Sequence, residues 1–146
     1  MSFRKNFLNM VIVGFILSVF VTDVMGEEVK VPDQSTKGGV LLYDKDSIKR
    51  SGGKVEVWVK TIYGKEKIGG VEEMLKYSND PTKGVEYISY NKTLYEINCE
   101  EETFHRLTSI YYDQNGVVIS TNNQATKFKC ISSGSTIDRI RKIVCK

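Results

Sequence analysis

Few residues in this chain are suited to chemistry: three cysteines (Cys99, Cys130 and Cys145), the single histidine His105, and the carboxylate run Glu100, Glu101 and Glu102. His105 stands six residues from Cys99, with no second histidine and no CxxC pair, so a tetrahedral zinc site lacks ligands. Adjacent carboxylates fall on different faces of an extended chain, whereas glycoside hydrolysis needs two facing each other across a cleft. They read instead as the polar turn after a strand. GxSxG, P-loop, HExxH and EF-hand patterns are missing, and no nucleophile motif surrounds His105. The expectation is a non-catalytic chain with no cofactor, with His105 on a strand facing solvent or a neighbouring ring.

The cysteines offer a different chemistry, oxidation. In an oxidising compartment three thiols imply one bridge and one spare, and spacing alone leaves all three pairings open. The compartment is indicated by the first 26 residues. Arg4 and Lys5 precede an apolar run from Phe7 to Phe20, broken only by Asn9, Gly14 and Ser18. Val24 and Gly26 supply small residues before a cut at Glu27, the layout of a secretory signal peptide. An uncleaved anchor is the alternative, but the run falls short of the ~20 residues a spanning helix needs. No cysteine lies near the cut to take a lipid.

Removing 26 of 146 residues leaves 120, enough for one domain with one core. Losing Arg4, Lys5 and Asp23 takes 21 basic and 18 acidic residues to 19 and 17, a net charge of +2. That balance does not call for a nucleic-acid partner. Alternating signs, as at Lys65, Glu66 and Lys67, mark solvated surface.

The elements follow from periodicity. Residues 27–39, with Pro32, Asp33, Gln34, Ser35, Thr36 and two glycines, read as a flexible lead-in. Val40 to Tyr43 is a short apolar run, and Gly52 and Gly53 suit a tight hairpin. From Lys54, Val55, Val57 and Val59 share one face and Glu56, Trp58, Lys60 and Ile62 the other, a strand. Gly64 to Gly84 is loop-like, with room for a helical turn over Val71 to Lys76. Val85 to Tyr90 and Thr93 to Asn98 are strand-like, with Asn91 and Lys92 at a bend or bulge. Asn91, Lys92 and Thr93 also form a glycosylation sequon, read here as a strand irregularity. Phe104 to Tyr112 and Val117 to Thr121 flank an Asn115–Gly116 step, a strong hairpin signal.

Ser135 can cap a helix whose third residue, Asp138, can reach back to it, while Ile137, Ile140 and Val144 form one stripe widened by Ile143. The expected fold is α+β: an antiparallel sheet of five or six strands with a C-terminal amphipathic helix on one face. Alternation places Cys99 with Tyr95 and Ile97 on the apolar side of its strand, and Cys145 lies at the margin of the helix stripe. A helix lying across the sheet would bring those two together. Cys130 would then be the spare thiol, expected buried as a small hydrophobe rather than exposed as a route to a homodimer. Several tyrosines fall in strands, and Tyr87, Tyr90, Tyr111 and Tyr112 are the candidate binding-face aromatics. Lys146 reads as a solvated residue.

These elements carry a family resemblance. Tyr43-Asp44-x-x-Ser47-Ile48, Val57-Trp58-Val59-Lys60, Asn98-Cys99, Arg106, Tyr111, Tyr112, Gly116, Ser120, Gly134-Ser135 and Val144-Cys145 stand in order. Together with the signal peptide they resemble the surface-adhesin protein E-like family of bacterial exported proteins, over residues 40–146 and nearly the whole mature chain. The resemblance implies a disulfide between Cys99 and Cys145 that ties the helix to the sheet. It also implies adhesion, that is, display at or near the bacterial surface and attachment to a protein partner such as a host matrix or serum protein. Cys130 departs from the pattern, where a large apolar residue is usual, and Ser132 and Ser133 replace a proline-containing step. The rival reading is a soluble periplasmic module that binds a small ligand or envelope component.

Overall fold

Alternation in the sequence becomes a sheet built outward from strand β4 (Lys54–Ile62), in a computed structural model that describes residues 26–32, 39–64 and 87–146. Val55, Val57 and Val59 are buried on one side of β4, as a period of two requires. β5 (Tyr90–Asn98) pairs with β4 along its whole length, from Lys54 opposite Asn98 to Ile62 opposite Tyr90. Outward from there lie β6 (Thr103–Tyr112) and β7 (Val118–Asn122) on one side. On the other lie β2 (Val40–Asp44) and β1 (Glu28–Lys30). All pairings are antiparallel, in the order β1-β2-β4-β5-β6-β7. Two short strands complete it: β3 (Lys49–Ser51) on β4, and β8 (Lys129–Cys130) on β6.

The turns behave as their residues dictate. Gly52 and Gly53 join β3 to β4 with φ of 55° and 77°, the positive values that a two-residue hairpin of type I′ needs. Between β6 and β7, Asp113 Oδ1 accepts from the amides of Asn115 and Val117, both at 2.8 Å, and Gly116 takes φ 79°. After β5, Asn98 Oδ1 accepts from the amides of Glu100 and Glu101, so the three glutamates are indeed a polar turn. The Tyr-Asp-x-x-Ser run has a similar cause. Asp44 Oδ1 caps the 3-10 turn Lys45–Ser47, and the Ser47 hydroxyl donates to Asp44 O and accepts from Trp58 N.

Helix α1 (Thr136–Val144) covers one face of the sheet. Ile137, Ile140 and Val144 join Val31, Leu41, Val55, Val57, Val59 and Ile97 in the core; full burial of each such side chain stabilises by about 1.5–3 kcal/mol. Ser135 Oγ caps the helix by accepting from Asp138 N at 3.1 Å. The Asp138 carboxylate reaches past Ser135 and accepts from Gly134 N at 2.9 Å. At the far end Arg50 Nη2 donates to Val144 O at 2.9 Å, satisfying a carbonyl the helix leaves open. Cys99 and Cys145 form a disulfide with Cα atoms 5.7 Å apart, joining the end of β5 to the end of the helix.

Three expectations are corrected. The lead-in is not uniformly flexible: β1 occupies its start, and Val31 is fully buried in the core, because Val29 and Val31 alternate with charged residues as an edge strand does. Asn91 and Lys92 are not at a bend; β5 is continuous through them, and the register shift falls at Leu94/Tyr95. Cys130 is not buried but exposed, because β8 is a two-residue strand at the sheet margin. The signal segment up to residue 25, the helical turn at Val71 to Lys76 and the start of the Val85 to Tyr90 run lie outside the described residues.

Candidate binding surface

The register of the sheet sorts the tyrosines. Val40, Ile62, Tyr90, Tyr112 and Val118 are successive cross-strand partners and so form one row on the face opposite the helix. Within it the Tyr90 and Tyr112 rings stack with centroids 4.7 Å apart and planes 9° from parallel. Such a pair contributes roughly 0.5–1.5 kcal/mol beyond its buried area and holds both rings in fixed orientation. Lys60 Nζ sits 4.8 Å from the Tyr90 centroid, and Glu28 offsets part of the local positive charge by contacting Lys60 at 2.9 Å and Lys92 at 3.7 Å. The row ends at an outer strand, where Val118 is 52% exposed; Tyr87, just before β5, is 68% exposed.

Tyr111 does not belong to this surface. It is only 2% exposed and packs on the helix side with Ile88, Tyr63 and Ile119. As neighbours in one strand, Tyr111 and Tyr112 necessarily face opposite ways. Tyr95 also lies on the helix side, edge-on to Phe104 at 6.0 Å, and burial pushes its hydroxyl above the usual tyrosine range. A polar band accompanies Tyr111 there: Asn91 Nδ2 donates to Thr93 Oγ1, which lies 3.0 Å from Ser109 Oγ. The amide of the Asn91 sequon is thus buried and engaged.

A second cluster forms around His105, which lies on β6 against a neighbouring ring as expected, though its partners are not named by the sequence. His105 stacks on Phe128 at 4.0 Å, with Nε2 3.3 Å from Glu96 Oε1 and Nδ1 3.1 Å from Thr126 O. Lys54 Nζ shares Glu96 at 3.0 Å. Burial opposes ionisation of Glu96, but the Lys54 ammonium and the His105 ring outweigh it and hold the carboxyl below the usual range. The register opposite β5 announces Glu96–His105 as a cross-strand pair; only the path of the chain after β7 brings in Phe128 and Thr126. Among the described residues, no group of three His, Cys, Asp or Glu side chains is arranged to hold a metal.

Cys130 sits in the row of Asn98 and Thr103, facing away from the helix, whereas Cys99 packs against the core on the helix side. The spare thiol is therefore separated from the disulfide by the sheet itself.

The overall fold, an antiparallel sheet with one helix packed on it, has known counterparts. The sequence matches the surface-adhesin protein E family over residues 29–146. The chain belongs to that family. Two crystal structures of Haemophilus influenzae protein E share the fold at 13% sequence identity: one has a TM-score of 0.54, covering 85% of this chain and 87% of that one. The other, a second crystal form, has a TM-score of 0.51, covering 82% and 96%. Among curated proteins none matches the sequence significantly. Membership in the protein E family places the chain with surface adhesins, a generally non-catalytic class. The residues that carry the resemblance are largely structural: Asp44, Ser47 and Asn98 shape turns, Gly116 a hairpin and Ser135 a helix cap.

Proposed function

We propose that this chain is an exported, non-catalytic module that binds a protein partner at or near the bacterial cell surface, through the face carrying Tyr90 and Tyr112 with Tyr87 at its edge. One observation supports the reading above others: the stacked pair stands in an apolar row that crosses five strands on the face opposite the helix. Rigid tyrosines lose little side-chain entropy on contact and bring both apolar area and a hydroxyl, which suits protein recognition. Membership in a surface-adhesin family favours a host matrix or serum protein as the partner.

The test has two arms. Externally added protease should remove the protein from intact cells, and purified protein should bind immobilised matrix or serum proteins with the Tyr90→Ala/Tyr112→Ala variant losing that binding. Because the contacts are mainly aromatic, binding should change little with salt. Protection on whole cells with release by osmotic shock would replace this reading with a periplasmic binding module.

A further inference from the structure

The structure clamps the chain at the residue where the sequence places the signal-peptide cut. Glu27 makes three contacts with the turn that follows β2: its N lies 2.9 Å from Asp46 Oδ2, its O accepts from Lys45 N at 3.1 Å, and its carboxylate meets Lys45 Nζ at 3.4 Å. Asp44 is the second carboxylate here. It lies so close to Gly26 that a side chain at 26 would run into it. These two acids are held in place by the turn they belong to, since Asp44 also caps the 3-10 segment.

While Gly26 is attached, the atom facing Asp46 is an amide nitrogen with one hydrogen. We infer that cleavage between Gly26 and Glu27 converts this contact into an ion pair, in which the new α-ammonium of Glu27 docks on Asp46 with Asp44 beside it. Hydrolysis breaks the Gly26–Glu27 amide bond: the oxygen of water joins the Gly26 carbonyl carbon to leave a carboxylate, and both of water's hydrogens end on the Glu27 nitrogen, which with the one it already carries becomes an ammonium. No other reagent is needed. An ammonium–carboxylate contact is stronger than an amide one, and Lys45 is turned toward the Glu27 side chain, leaving Asp46 to the terminus. The docked terminus fixes the residue that leads into β1, an outer strand of only three residues.

This inference rests on the export reading, and the experiment separates the two. N-terminal sequencing of the exported protein tests the cut: a start at Glu27 is expected. Independently, a chain released from a fusion so that it begins at Glu27 is treated with an acylating reagent near neutral pH, and modification of the α-amine is followed by mass spectrometry of the N-terminal peptide. Asp46→Asn should speed α-amine labelling by about 2- to 5-fold, the range expected for an exposed ion pair, with lysine labelling unchanged as the internal reference. Equal rates in the two chains would overturn the docking even if the cut is correct. A mature start elsewhere would overturn the assignment of the cut while leaving the labelling result to judge the contact.

Discussion

Tyr111 and Tyr112 are consecutive in β6, yet Tyr111 is enclosed beneath the helix side of the sheet while Tyr112 stacks on Tyr90 on the opposite face. Their substitutions should separate cleanly. Tyr111→Ala removes a buried ring and should cost about 3–5 kcal/mol, seen as a lower urea midpoint. Tyr112→Ala should cost roughly 1 kcal/mol and act mainly on partner binding. Equal destabilisation by the two would mean that the outer face is as enclosed as the inner one.

The Cys99–Cys145 bridge spans 46 residues. Closing a loop of that size is worth about 4 kcal/mol in the chain-entropy model, a large share of the ~5–15 kcal/mol typical of a domain. Cys145→Ser should therefore lower the unfolding free energy by that order, read from urea titration without reductant. A change under about 1 kcal/mol would show that packing of Ile137, Ile140 and Val144 holds the helix without it.

Cys130 is exposed and unbridged. Intact mass after alkylation without reduction should show one modified cysteine, mapped to Cys130. Any covalent dimer formed under oxidising conditions should disappear in Cys130→Ser, with the internal bridge intact; its persistence there would put the linkage at another residue.

Acid should weaken the fold through Asp138 and Glu96. The Lys142 ammonium, the Gly134 amide and the Arg141 guanidinium hold Asp138 well below the usual carboxylate range, and Lys54 with His105 does so more mildly for Glu96. Groups whose folded values are depressed stabilise fully above the unfolded value near pH 4 and lose that contribution as pH falls through the folded one. Thermal melts from about pH 6 to pH 2 should show falling stability below about pH 4, with a shallower fall in Asp138→Asn. An identical acid limb in that variant would assign acid sensitivity to other groups.

Much of this architecture can be read from periodicity, because a half-buried strand and an amphipathic helix both write their buried face into the order of residues. Val55, Val57 and Val59, the Asn115–Gly116 hairpin and the Ile137–Ile140–Val144 stripe are of that kind. What escaped depended on neighbours distant in sequence. β1 offers only Val29 and Val31 as an alternating pair, too few to stand out among turn-forming neighbours, and the core around Val31 is what fixes it as a strand. The exposure of Cys130 follows from its place at a sheet margin, and the identity of the ring that His105 meets, Phe128, from a chain crossing that no local pattern encodes. For the binding surface, tyrosine content is legible in the sequence, but its division between faces needs the strand limits: Tyr111 and Tyr112 are consecutive in one strand and so cannot share a patch.

The opposite facing of Cys99 and Cys130 bears on how the bridge is made. In order of appearance, Cys130 reaches an oxidant before Cys145 and is the nearer mispairing partner along the chain. Once β5, β6 and β8 are paired, however, β8 stands two strands from β5, roughly 10 Å away, beyond the ~7 Å Cα separation a disulfide tolerates. In the completed sheet Cys145 is therefore the one thiol that Cys99 can reach, and strand pairing itself keeps Cys130 out of the bridge.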